Sequence, residues 1–70
     1  MNPLRQPPVE VPGPPAGTLL AAVADRPADN APAGRTAFVD RTMFVAGRTL
    51  LILRDTRTGE QFHSPPDAWA

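Results

Sequence analysis

Apolar residues in this chain gather in short runs after Thr36, the densest being Met43 to Leu53, and polar residues or glycine interrupt them every few positions. Runs of that length, rich in Val, Ile, Phe and Thr, predict β-strands rather than helices. Phe38 and Val39 predict a short strand ending near Asp40 and Arg41, with a second beginning at Met43. Glycine at the first central position of Gly47-Arg48 suits a type II′ turn, which would set Val45 opposite Leu50, Phe44 opposite Leu51 and Met43 opposite Ile52. Asp55 to Gly59 supplies the next reversal, placing Leu53 opposite Phe62 and Ile52 opposite His63. The predicted fold class is mainly β: a small antiparallel hairpin or meander over residues 35–70.

Strand neighbours point to opposite faces, so Leu50 and Ile52 line one side of this sheet and Leu51 and Leu53 the other. Both sides are apolar. Leu19, Leu20 and Val23 could cover one of them; the second needs the amino-terminal arm, a symmetry mate or a foreign surface. At roughly 25 cal/mol per Å² of apolar area, leaving several such side chains wet forfeits several kcal/mol, comparable to a small domain's whole stability.

The first half of the chain has a different character. Eight of the ten prolines fall between Pro3 and Pro32. Proline fixes φ and removes a backbone donor, so residues 1–34 are expected to form an extended arm rather than helix or central strand. Val9 and Val11 alternate around Glu10 as candidate anchors, with Leu4 before them. Within the arm, Thr18 to Asp25 is rich in leucine and alanine and could be capped by Thr18, which favours a short helix over 18–25, a strand being the alternative. Arg26 to Gly34 has loop composition.

Seventy residues allow one domain at most, and the half left after the arm is small for a self-sufficient core. Cysteine is absent and His63 is the sole histidine, so neither disulfides nor a metal can supplement that core, and no cofactor is expected. Oligomerisation or docking remains. Net charge is zero and every basic residue is arginine, interleaved with acids, which argues against nucleic acid as partner. The arginine-for-lysine usage, with abundant alanine and proline, reads as the codon bias of a GC-rich genome. No signal peptide follows Met1, and no apolar run reaches the roughly 18 to 20 residues that span a bilayer, so a soluble protein with no membrane partner is expected.

Candidate chemistry is sparse. His63 lacks partners for a metal site or a triad, and Asp55 and Glu60 flank a turn, where pairing with Arg54 or Arg57 is the simpler role than acid/base catalysis. Pro7-Pro8 and Pro12-x-Pro14-Pro15 have the spacing of ligands for aromatic-lined grooves, as any proline-rich arm does. Trp69, after Pro65-Pro66, is expected to fill a pocket on its own sheet or on a neighbour.

Arg26-Pro27-Ala28, then Ala33-Gly34-Arg35-Thr36-Ala37-Phe38-Val39-Asp40, then a β run and Asp67-Ala68-Trp69 resemble a short β module of phage tail-fibre and other virion structural proteins. The resemblance covers about residues 26–69. Arg41-Thr42-Met43-Phe44 depart from it, standing where the module usually has a Thr-Gly turn. It implies a trimer-forming or surface-attaching part of a virion, assembled in the host cytoplasm and without enzymatic activity. The expected function is therefore a minor virion structural protein, a capsid cement or tail-associated part. Its partners would be major capsid or tail proteins and further copies of itself. The expected contact residues are Val9, Val11 and Pro12 in the arm, Phe44, Leu51, Leu53 and Phe62 on one sheet face, and Trp69 as terminal anchor. An accessory subunit of a cellular complex, or an inhibitor or antitoxin-like binder that folds on its target, is the alternative.

Overall fold

The computed structural model describes residues 7–70. The fold is mainly β, a five-stranded antiparallel sheet built of β1 (Val9–Val11), β2 (Leu19–Ala21), β3 (Thr36–Val45), β4 (Arg48–Asp55) and β5 (Gln61–Ser64). Strand β3 is its spine. On one side it pairs with β1 through Thr42–Phe44 and with β2 through Thr36–Phe38; on the other it pairs with β4, which in turn pairs with β5. Leu4 lies outside the described residues.

The expected break between two strands at Asp40 and Arg41 is instead a bulge inside one continuous strand. Val39 faces Leu53 and Arg41 faces Ile52, so Asp40 is the extra residue on β3. A bulge turns its residues toward one side of the sheet. There the Asp40 carboxylate accepts from Gln61 Nε2 at 3.0 Å and Arg54 Nη2 at 3.4 Å. The polar pair that reads as a strand terminus is therefore held by its neighbours in the ladder.

The hairpin turn also lies one residue earlier than expected. Ala46 and Gly47 occupy it with φ of 51° and 78°, both positive as a type I′ turn requires. Val45 consequently faces Arg48, Phe44 faces Thr49 and Met43 faces Leu50, a displacement of two residues from the predicted partners. Because the strand period is two, this slip leaves every side chain on its predicted face. The Leu53–Phe62 and Ile52–His63 pairs stand as expected.

No helix forms over 18–25. Leu19–Ala21 is a strand because backbone partners wait on both of its edges. The chain leaves β5 through a 3-10 turn, Pro66–Ala68, and returns beside β2, where Ala21 and Ala70 exchange hydrogen bonds of 3.0 and 3.1 Å and Val23 N donates to Ala68 O. A two-turn helix is marginal alone, and two ladders outweigh the helical preference of leucine and alanine. This return curls the carboxyl end back over the sheet, beside β2.

The core lies inside the curl: Ala37, Val39, Leu51, Leu53 and Phe62 from the sheet, covered by Ala31, Ala68 and Trp69, with Leu20 and Ala22 packed against them. Thus the chain does sheathe the Leu51–Leu53 side, but not with Leu19 and Val23, which remain 58% and 54% exposed. Alanines 31 and 68 are fully enclosed; small side chains let the covering loops approach the sheet closely. The loop before β3 is pinned by Arg26, whose backbone exchanges hydrogen bonds with Ala31 and whose guanidinium pairs with Asp29 at 2.6 Å.

Candidate interaction surface

Trp69 is turned inward. Its indole Nε1 donates to Ser64 Oγ at 2.8 Å, Ser64 in turn donates to the Asp29 carbonyl, and its ring lies 5.7 Å from Phe62. Above Phe62 stands Arg35, with Cζ 3.7 Å from the ring centroid, an arrangement in which a cation meets the negative face of the ring. Arg35 also binds Asp55 at 2.8 Å and reaches Glu60 at 3.9 Å. The acids flanking the last turn are therefore paired with Arg35 rather than with Arg54 or Arg57; Arg54 goes to Asp40. Asp55 is held below the usual carboxylate range, first by the backbone N–H of Arg57 and then by Arg35 and the N–H of Thr58. This constellation organises a turn. Arg35, Asp55 and Arg57 line a cavity of about 310 Å³, at which Arg35 and Asp55 are engaged with each other.

His63 is exposed, and its carbonyl accepts from Asn30 Nδ2 at 3.0 Å. Among the described residues, no three His, Cys, Asp or Glu side chains gather as metal ligands would. No helix there is long and apolar enough to cross a membrane.

The expected contact residues separate into two groups. Leu51, Leu53, Phe62 and Trp69 are buried in the chain's own core, so none of them is available to a partner. Val9, Val11, Pro12 and Phe44 come together at the hairpin end. Val9 lies directly opposite Phe44 on the ladder, and the two are 52% and 39% exposed. Val11 is opposite Thr42 on the same face. Beyond Val11 the arm turns through Pro12 and crosses Thr42 at Gly13, where a Cβ would overlap Thr42 Oγ1 and lie 2.8 Å from its Cβ. Only glycine fits this crossing. It buries Thr42 and leaves its Oγ1 without a hydrogen-bond partner. Beside the crossing opens a cleft of about 230 Å³ lined by Glu10, Gly13, Pro14 and Arg41 among others.

No family model, curated protein or solved structure matches this chain. The surface itself therefore carries the functional reading. Sequence reasoning missed the exposure of Leu19, Val23 and Phe38. For Phe38 a signal was present: it neighbours Val39 in a strand, so burying Val39 turns Phe38 outward.

Proposed function

We propose that this chain is a minor structural protein of a virus particle, a cement or tail-associated part, that docks on a larger protein surface through its arm and hairpin. The observation that supports this reading is the Val9–Phe44 pair, two apolar side chains side by side at the hairpin end, both still exposed among the described residues. Full burial of each is worth about 1.5 to 3 kcal/mol. The arm is already seated on β3, so a partner would meet a formed surface and the ordering cost of binding is reduced. One such contact is weak, and repetition over a symmetric lattice multiplies it. A catalytic role has no comparable support.

The test is incorporation. Particles purified on a density gradient from a culture carrying this gene are expected to contain the chain in copy number set by particle symmetry. A chain with Val9→Glu and Phe44→Glu is expected to fold and yet be missing from them. A wild-type chain found only in the free-protein fractions, or in one-to-one complex with a soluble enzyme, would reject this function in favour of a cellular binder.

A further inference from the structure

The outer side of the sheet is a second surface, opposite the Val9–Phe44 face and independent of it. The ladder arranges it in rows: Glu10, Met43 and Leu50; then Arg41, Ile52 and His63; then Leu19, Phe38, Arg54 and Gln61. Leu19 and Phe38 are exposed, and Met43, Leu50 and Ile52 are half-buried. Asp40 and Arg54 are paired there, whereas Glu10, Arg41 and Arg48 form no ion pair among the described residues.

We propose that a second copy of this chain covers this face, sheet against sheet, about a two-fold running along the seam between β3 and β4. Exchanging β3 with β4 in that way lays Met43 on Leu50 of the second copy. In the same row Glu10 lies beyond Met43, and the operation carries it past Leu50 of the copy to the sheet margin. That margin is a slot of about 150 Å³ lined by Arg48, Leu50, His63 and the Ala28–Asn30 turn. The Glu10 carboxylate of one chain thereby meets the Arg48 guanidinium of the other, beside Asp29, whose charge is already taken by Arg26, and the two-fold makes the contact twice. The face carries both signs of charge around an apolar centre, which suits a copy of itself better than a polyanion or a uniformly charged protein.

Strand addition at the arm is closed to such a copy. The two-residue turn makes Val45 and Arg48 a hydrogen-bonded pair, and alternation then points Thr42 and Phe44, with their partners Val11 and Val9, at each other. The outward positions of β1 are Pro8, Glu10 and Pro12, of which only Glu10 has an N–H to give. Self-association through the β1 edge is thereby disfavoured relative to the face. β3 and β4 have ten and eight residues and their flanking strands three or four, so with strands about 4.8 Å apart and about 3.3 Å per residue the footprint is at most on the order of 400 Å². A standard interface uses about 800 Å² per partner, so the pair is a weak one, with a dissociation constant above about 1 μM.

Sedimentation equilibrium on the full chain from about 10 μM to about 1 mM tests this. The mass is expected to rise from 7.5 kDa toward twice that value. Phe38→Glu and Glu10→Arg, each checked for native circular dichroism, are expected to weaken association at least tenfold, and Glu10→Arg combined with Arg48→Glu to restore it. A monomer at the top of the range, a trimer, or failure of the charge exchange to rescue would overturn the proposal. Particle incorporation depends on the other face, so a wild-type chain that stays monomeric throughout this range and is still incorporated would sink this inference alone.

Discussion

The two ends of β3 are made of similar residues and meet different fates. At its start, Ala37 and Val39 are enclosed by Leu53, Leu20 and the covering Ala31, Ala68 and Trp69, and the Arg35–Asp55 pair closes the rim. At its end, Phe44 and its neighbour Val9 have strand partners but, among the described residues, no such cover. A sheet face is stabilised only where something lies over it. Strand pairing and the close crossing of Gly13 over Thr42 hold the hairpin end, and apolar burial holds the base.

This contrast is breakable by mutation. Trp69→Ala removes the lid of the base, its contact with Phe62 and its bond to Ser64. A loss of about 3 to 5 kcal/mol is expected, enough to unfold much of the population, read by urea denaturation. Gly13→Ala acts at the hairpin end, where the new Cβ strikes Thr42. About 1 to 3 kcal/mol should be lost, with amide exchange quickening at Val9 and Val11 before it does at Leu53.

Acid sharpens the comparison at the base. Asp55 has its carboxyl depressed in the folded chain, so its contribution is complete above the ordinary carboxylate value and disappears as pH falls through the depressed one. The stability gap between the native chain and Asp55→Asn should be constant above about pH 5 and close below about pH 4. A gap that widens on acidification would contradict the assignment.

Two smaller effects belong to the hairpin. Ala46 sits at φ 51°, a region that disfavours a Cβ, and Ala46→Asn should stabilise by about 1 kcal/mol in thermal melts. Phe44→Ser, at a site the described residues leave 39% exposed, should cost about 1 kcal/mol, far less than Trp69→Ala. A loss as large as that of Trp69→Ala would mean that the hairpin end has a core of its own.

The hydrophobic pattern by itself determined the mainly β class, the strand regions after Thr36, the pairing of Leu53 with Phe62, and which side chains share a face. Those features follow from a period of two, which is local and survives a slip of two residues in register. What only the tertiary structure decided was non-local. Leu19–Ala21 is a strand because β3 and the chain's carboxyl end reach its two edges, and no window of eight residues contains that information. Asp40 is a bulge rather than a terminus because Gln61 and Arg54, distant in sequence, satisfy it. Of the contact residues expected, Val9, Val11, Pro12 and Phe44 were left on the surface while Leu51, Leu53, Phe62 and Trp69 were enclosed. Hydropathy cannot separate these groups, since an apolar side chain has the same transfer energy whether its cover comes from its own chain or from another.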